Sequence, residues 1–152
     1  MTQEDKQLLL KVLCEQLPYG IKCTIKLTGY NDAYVIQGVY EDTVFIDCPV
    51  YGEGDGERMV ESIIPYLRPM SSMTDEVRWE LGKLCPDFEY LKLEEIDSCL
   101  KWVFVYDESG RFKMSWQEFN DIQDWLNAHH FDYRGLIEKG LALEAPEGMY
   151  KE

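Results

Sequence analysis

No stretch of the sequence is apolar for long enough to cross a membrane, since a spanning helix needs about 20 consecutive, mostly apolar residues. The N-terminal segment MTQEDKQLLLKVL carries acids where a secretory signal peptide would carry bases, and its run of three leucines is short. We therefore expect a protein that stays in the cytoplasm of the cell that makes it and has no contact with membranes.

Cysteine and histidine are scarce and poorly placed for holding a metal. The five cysteines are scattered without a CxxC pair and their number is odd, which indicates a reducing compartment rather than a disulfide framework. The two histidines, His129 and His130, are adjacent and lie far along the chain from every cysteine. Zinc sites need clustered ligands, so we expect neither a metal nor another cofactor.

Positive charge is also scarce, with 15 Lys and Arg residues against 29 Asp and Glu residues and a net charge of −14. A nucleic-acid backbone is bound by basic patches, so we expect no direct nucleic-acid binding. The excess acid is spread evenly: residues 1–69 hold 11 acids and 6 bases, residues 70–114 hold 10 and 6, and residues 115–152 hold 8 and 3. An acidic mimic of DNA stays open as an alternative, because Glu118, Asp121 and Asp124 form a regular stripe on a predicted helix.

The short motifs of common catalytic and phosphate-binding sites are missing as well. The sequence contains no GxSxG, GxxxxGK[ST], HExxH or GxGxxG, and each of these brings a nucleophile, a phosphate cradle or metal ligands together in one segment. An enzyme with dispersed catalytic residues stays open as a further alternative. The pattern favours a protein without catalytic activity.

Apolar residues are abundant enough for a core, at 45% hydrophobic and 13% aromatic. Near the N-terminus, Thr2 and Asp5 form a capping-box pattern. Apolar or packable residues then recur at helical spacing, at Leu9, Val12, Leu13, Gln16 and Leu17. The predicted helix ends where Pro18 and Gly20 interrupt that pattern.

Short strands follow this helix. IKCTIKL (21–27) alternates apolar and polar residues, which predicts a strand with one wet face. AYVIQGVY and TVFIDC predict two strands joined by a tight turn at Glu41 and Asp42, with a bulge or bend at Gly38. RMVESIIPYLRP predicts a further strand, a turn and an extended piece. The sequence therefore predicts a small antiparallel, SH3-like barrel or a bent sheet in residues 1–69.

Residues 70–152 predict a mixed second lobe. Ser and Thr residues with first-turn acids start a helix within SSMTDEVRWELGKLC, and LKWVFVY predicts a strand that pairs back with RFKM as a β-hairpin. Ser115 and Glu118 form a capping box for a helix that runs to Ala128, and Asp132 caps a second short helix that ends at Gly140. The expected fold class is α+β, ending in a C-terminal helical hairpin, with both lobes packed as one compact unit.

His129 and His130 come at the end of the helix that begins at Ser115. Neighbouring side chains on a helix point about 100° apart, so the two imidazoles cannot both face one metal ion from regular geometry. Histidines at a helix C-terminus cap carbonyls and favour the negative end of the dipole. We interpret the stretch as a packed corner that Arg134 helps to tie down. A site with a histidine base stays open as the alternative.

Arg68 is expected to be paired, because it lies between Pro65 and Pro69 in an otherwise apolar run. We predict a carboxylate or helix-end carbonyls of the other lobe as its partner.

Several tyrosines are candidates for an interaction surface, with Tyr34, Tyr40 and Tyr66 as the main ones. Tyrosine is enriched at interfaces because it buries a large area at little entropic cost. The alternative is that most of these residues line the strands. The favoured interpretation is a non-enzymatic protein that binds another macromolecule, with a protein as the expected partner.

Two segments resemble the recurring signatures of an uncharacterised small-protein family encoded by gut Bacteroidales, their bacteriophages and other mobile elements. They are PYLRPMSSMTDE (65–76) and DWLNAHHFDYRGLIEKGLALEAPEGMY (124–150), and together they cover about a quarter of the chain. The resemblance implies a phage or prophage accessory protein in a bacterial host cytoplasm, with a host factor as its partner. It carries over no catalytic residue.

A different class of function is a sponge that sequesters a small nucleotide defence signal. It would need aromatic stacking and cations on the phosphates, for which Arg58, Arg68 and Arg111 are the candidates. The scarcity of bases counts against it. The sequence leaves the oligomeric state open.

Overall fold

The computed structural model describes residues 1–26, 33–47, 56–84, 91–96, 99–104 and 116–150. It confirms the α+β class, with an N-terminal helix, a six-stranded, mostly antiparallel sheet and further helices. Two compact units divide the chain: the first is Met1–Leu67 with Leu136–Lys151, and the second is Arg68–Gly135. The sequence had suggested lobes of 1–69 and 70–152, whereas the structure groups residues 136–151 with the first unit.

Helix α1 (Gln3–Gln16) begins at the predicted capping box. Thr2 Oγ1 accepts a hydrogen bond from the Asp5 main-chain N–H at 3.0 Å, and the Thr2 N–H donates to the Asp5 carboxylate at 3.4 Å. These bonds from Thr2 lower the pKa of Asp5, since they favour its charged form. The helix buries Leu9, Val12, Leu13 and Gln16, as the spacing predicts. It ends in a 3-10 turn (Leu17–Tyr19).

The main sheet lies in the first unit and has the strand order β4-β3-β2-β1-β5-β8. Its strands are β1 (Lys22–Ile25), β2 (Tyr34–Tyr40), β3 (Thr43–Ile46), β4 (Glu57–Met59), β5 (Ile63–Leu67) and β8 (Leu143–Glu144). Neighbours are antiparallel except for the parallel pair β5–β8. Over the described residues the order runs from one edge to the other without closing, which favours the bent sheet over a barrel.

The core of the first unit lies where α1 packs with the inward-facing residues of this sheet. Strand β1 departs from the expected pattern, because Thr24 was predicted on a wet face and is buried. β1 is a central strand with β2 and β5 on either side, and a short side chain between two neighbouring strands is readily covered. Lys26, beyond the strand, is exposed.

Strand β2 contains the predicted bulge at Gly38. Its pairing with β3 shifts by one residue between Ile36 and Gly38. Ile36 and Val39 are three apart, so strict alternation would send them to opposite faces of the sheet. The extra residue of the bulge lets both contribute to the core. It also turns Tyr40 outward, where the side chain is 67% exposed.

Tyr150 completes the ladder between β1 and β5. The bond from the Lys26 N–H to the Ser62 oxygen shows that alternate residues of β1 bond directly to β5, and by this alternation Lys22 and Tyr66 would be the next such pair. Their main-chain groups are joined by the Tyr150 hydroxyl, which accepts from the Lys22 N–H at 2.9 Å and donates to the Tyr66 oxygen at 2.8 Å. Burial raises the pKa of Tyr150.

The second unit contains α2 (Asp75–Leu84), β6 (Leu91–Ile96), β7 (Cys99–Phe104) and α3 (Trp116–Ala128). Thr74 Oγ1 accepts from the Val77 N–H at 3.3 Å at the start of α2, as its Ser/Thr caps predict. The core of this unit is a separate apolar cluster, made of Met70, Val77, Leu81, Ile122, Leu126 and Phe131. Among the described residues, no helix combines the length and the apolar character that crossing a membrane requires.

The predicted pairing of LKWVFVY with RFKM stays a prediction. Most of LKWVFVY lies in β7, which pairs with Leu91–Ile96 in a hairpin whose register runs from Leu91↔Phe104 to Ile96↔Cys99. A two-residue connection makes this pairing the local one. The predicted partner RFKM lies outside the described residues. Alternation in LKLEEI, with Leu91 and Leu93 separated by Lys92, is the signal that could have identified β6.

The predicted C-terminal helical hairpin was also wrong, because the segment after α3 forms turns and no second helix. Gly135 and Gly140 have φ values of 76° and 71°, so left-handed residues stand on both sides of residues 136–139. The bonds Gly140 N–H to Ile137 O and Leu141 N–H to Leu136 O close this single turn. Four residues between two left-handed glycines are too few for a helix.

Candidate functional site

The end of α3 is a C-capping motif built around His130. Its φ is 60°, the left-handed conformation that glycine usually supplies at this position. The His130 N–H donates to the Asn127 oxygen at 3.1 Å, and the Phe131 N–H donates to the Leu126 oxygen at 3.0 Å. These two bonds are the Schellman pattern that satisfies carbonyls at a helix C-terminus. His130 itself is buried.

His129 packs against the last turn of the same helix. Its ring stacks on that of Trp125, with centroids 3.9 Å apart and planes 22° apart. Nδ1 of His129 lies 2.8 Å from the Trp125 carbonyl oxygen. A carbonyl oxygen can only accept, so Nδ1 carries the proton in this contact. Both histidines thus have structural roles at the helix end.

Arg68 joins this helix end to the segment before α2. The Arg68 N–H donates to the His130 oxygen at 2.8 Å, and the Asp132 N–H donates to the Arg68 oxygen at 2.8 Å. The guanidinium lies 4.4 Å from the centre of the Phe131 ring, and Nη1 lies 3.5 Å from the carbonyl oxygen of His129. A helix-end carbonyl is the partner type predicted for Arg68, although both residues belong to the second unit.

The remaining polar groups here contact one another. Tyr133 Oη donates to the buried Asn127 side chain at 3.1 Å, and the Arg134 guanidinium lies 5.0 Å from the centre of the Tyr133 ring. We call Arg68 and residues 125–134 the helix-end corner. Among the described residues, no group of three or more His, Cys, Asp or Glu side chains could hold a metal ion.

The structure describes two of the three acidic side chains that were predicted to form a stripe on α3. Asp124 is exposed, and Asp121 is half-buried and accepts from Gln117 Nε2 at 2.9 Å. Glu118 lies in α3, and its side chain is outside the described part of the chain. Asp121 is thus already engaged within its own helix.

The three candidate tyrosines have different environments. Tyr66 is 7% exposed and Tyr34 is half-buried against the core of the first unit. Only Tyr40 of the three is largely exposed. The candidate arginines for a nucleotide site are also separated by unit: Arg58 belongs to the first unit, where its Nη1 donates to the Glu57 oxygen at 2.7 Å, and Arg68 belongs to the second. Arg111 lies outside the described residues.

Tyr40 belongs to a row of side chains across three strands. Tyr40 pairs with Thr43, and Thr43 pairs with Met59. Directly paired residues project from the same face of a sheet. The row ends in two exposed side chains, since Tyr40 is 67% and Met59 51% exposed. We call Tyr40, Thr43 and Met59 the outer row. Sequence analysis missed Met59, because a lone methionine is equally typical of a core.

A second row lies beside the outer row on the same face. It consists of Gly38, Phe45 and Glu57, which also pair across the three strands. A Cβ atom at Gly38 would lie 3.7 Å from the Phe45 ring, so the half-buried phenylalanine covers the bulge. Glu57 is exposed at the end of this row. Together the two rows form what we call the outer face.

The edge strand β4 has its outward main-chain oxygens occupied. Two bonds join β3 and β4 at their ends: Ile46 N–H to the Gly56 oxygen and Val60 N–H to the Asp42 oxygen. Alternate residues of β4 therefore bond to β3, and the main-chain groups of Glu57 and Met59 point away from it. The Glu57 oxygen accepts from Arg58 Nη1, and the Met59 oxygen accepts from Ser62 Oγ, both at 2.7 Å. Such contacts protect an edge from pairing with another strand.

The carboxylates of the β2–β3 turn and of the β4 region differ in their pairing. Lys6 Nζ lies 2.8 Å from Asp42 and 2.9 Å from Glu61, and hydrogen bonds with Asp42 and then Glu61 raise the pKa of Lys6. Glu41 and Glu57 are exposed, and neither has an ion pair with another residue in the described part of the chain. Glu41 follows Tyr40 in a left-handed turn conformation with φ of 51°.

Comparison with known proteins gives no match to any family model, curated protein or solved structure. The resemblance of segments 65–76 and 124–150 to the family of Bacteroidales and their phages stays a prediction.

Proposed function

We propose that this protein is a non-enzymatic binding protein that recognises another protein through its outer face. The observation that carries the proposal is the outer row, in which Tyr40 and Met59 project from a hydrogen-bonded sheet with 67% and 51% of their surface exposed. A tyrosine fixed on a sheet offers a large, rigid contact area. Methionine adapts its shape to a partner.

The bulge in β2 supports a role for this exposure. Ile36 and Val39 both contribute to the core because of the extra residue near Gly38, and the same shift turns Tyr40 outward. Bulges commonly re-aim a side chain at a functional position. A side chain that is 67% exposed contributes little to the core, so the aromatic ring at position 40 favours recognition.

The helix-end corner supports a structural role for the histidines. His130 caps α3 with a left-handed backbone, and His129 stacks on Trp125 while Nδ1 bonds to a carbonyl oxygen. With Nδ1 donating to the carbonyl, Nε2 is the one ring nitrogen of His129 that keeps a lone pair. These contacts favour packing over catalysis.

The biological setting of the proposal is an accessory protein of a phage or mobile element, acting on a host factor in a bacterial cytoplasm. It rests on the resemblance of segments 65–76 and 124–150.

The test uses immobilised wild-type protein and the variants Tyr40→Ala, Met59→Ala and Trp79→Ala in lysate from a bacterial host. Trp79 is the matched control, since it is 66% exposed but lies on α2 in the second unit. We expect a host protein that wild type and Trp79→Ala retain and the other two variants lose, as quantified by mass spectrometry. Equal retention by Tyr40→Ala, or recovery of a small nucleotide in place of a protein, would contradict the proposal.

A further inference from the structure

The outer face combines exposed apolar groups with exposed carboxylates. Glu57 lies two residues before Met59 on β4, so both side chains project from the same face. Glu41 directly follows Tyr40 at the β2–β3 turn. Two described bases lie near this region: Arg58 on β4, whose Nη1 donates to the Glu57 main-chain oxygen, and Lys6, which is shared between Asp42 and Glu61. The carboxylates of Glu41 and Glu57 form no ion pair with either of these bases.

From this charge pattern we infer that the outer face receives a cationic segment of a partner protein, in which a lysine or arginine stands next to an apolar side chain. The inference rests on the proposed function. The face of a tyrosine ring attracts a cation, and Glu57 or Glu41 provides a carboxylate within the same patch. The apolar neighbour of that cation packs on Met59 and Phe45.

An added β-strand is a poor occupant of this region. The main-chain oxygens of Glu57 and Met59 already accept hydrogen bonds from Arg58 and Ser62. A strand added to β4 would have to displace both contacts before it could pair. The partner therefore contacts side chains on the face of the sheet rather than the edge of β4.

Negative charge disfavours two other occupants of the outer face, a second copy of this chain and a nucleic acid. A second copy of the chain would bring its own Glu41 and Glu57 against the same patch, in a protein of net charge −14, and like charges placed opposite each other oppose association. A nucleic acid would bring phosphates against the same carboxylates. Only a positively charged partner gains from all the groups present.

The test selects peptides from a displayed random library on the intact protein. We expect enriched peptides to carry Lys or Arg beside an apolar residue. Tyr40→Ala and Met59→Ala should each weaken a synthetic peptide of the enriched sequence by about tenfold or more, as for residues at the centre of an interface. Glu57→Gln should weaken it several-fold and reduce its salt dependence, whereas Glu4→Gln on α1 should leave it unchanged.

Different failures separate the inference from the proposed function. Neutral or acidic peptides whose binding still depends on Tyr40 would overturn the cationic partner and leave the binding face in place. Cationic peptides that bind Tyr40→Ala and wild type equally would overturn both. Failure to enrich any peptide would overturn the inference, and so would a dimer in sedimentation that Tyr40→Ala abolishes.

Discussion

His130 has a backbone conformation that costs most side chains free energy, with φ of 60°, and it nevertheless stands where α3 must end. Its burial and its place in the Schellman pattern explain why the strain is tolerated. In a sequence, two adjacent histidines resemble part of a catalytic or metal-binding site. Their positions in the helix-end corner show how side chains with catalytic potential can serve packing.

We predict that His130→Ala is less stable than wild type by about 1–3 kcal/mol, because it keeps the left-handed backbone and loses a buried polar side chain. His130→Gly should lose less, since glycine adopts a positive φ without steric cost. Urea unfolding at constant m-value measures both free energies. If the glycine variant proved the less stable one, backbone strain at this position would be unimportant.

Cys14 and Cys23 are expected to react very differently with an alkylating reagent. Cys23 is fully buried, and burial raises the pKa of its thiol to about 12, whereas Cys14 is exposed. The thiolate is the reactive form. An alkylating reagent should label the exposed Cys14 and leave Cys23 unlabelled in the folded protein. Peptide-resolved mass spectrometry follows each thiol, and rapid labelling of Cys23 under native conditions would mean that the core opens there.

The individual helices and strands show most clearly what the sequence can and cannot predict. The capping box of α1 and the bulge at Gly38 depend on neighbouring residues, and both were predicted from local pattern. The prediction of a second C-terminal helix was wrong because the sequence pattern gave no sign that Gly135 would take a left-handed conformation. The outer row could not be predicted for a related reason. Only the pairing of three strands brings Tyr40 and Met59 together.

Two glycines provide a matched test of the β4 edge. A Cβ atom at Gly56 would lie 2.9 Å from the Ile46 oxygen, whereas one at Gly82, inside α2, would meet nothing within 4 Å. Gly56→Ala should therefore destabilise the protein by about 1–3 kcal/mol. Gly82→Ala should stabilise it by about 0.4–1 kcal/mol, because alanine loses less chain entropy on folding. If thermal unfolding showed Gly56→Ala to be as stable as wild type, the close approach of β4 to β3 would be contradicted.

The Tyr150 hydroxyl is expected to hold β1 and β5 together at their ends. Tyr150→Phe leaves the Lys22 N–H and the Tyr66 oxygen without the group that joins them, and an unsatisfied buried group costs about 1–3 kcal/mol. Tyr19→Phe is the control, because Tyr19 is largely solvent-accessible. Hydrogen exchange at the Lys22 amide should accelerate in Tyr150→Phe only. Unchanged exchange there would show that the hydroxyl is dispensable.

For the whole molecule, the net charge of −14 and the apolar outer face restrict partners in complementary ways. Charge disfavours nucleic acids and self-association, and the exposed Tyr40 and Met59 favour a protein surface. Fold class followed from periodicity and composition, because these decide which faces are buried. The proposed function did not, because the outer row consists of residues whose proximity only the folded chain creates.

The central claim is that the outer face binds a partner protein, whereas the helix-end corner stabilises the fold. One comparison tests it: the affinity for the enriched cationic peptide and the melting temperature, measured for Tyr40→Ala and His130→Ala at a temperature where both are folded. The account predicts that Tyr40→Ala loses about tenfold or more in affinity with a melting temperature near that of wild type. His130→Ala should melt earlier and bind normally. The opposite pattern, with binding lost in His130→Ala and retained in Tyr40→Ala, would contradict the account and make the helix-end corner the site.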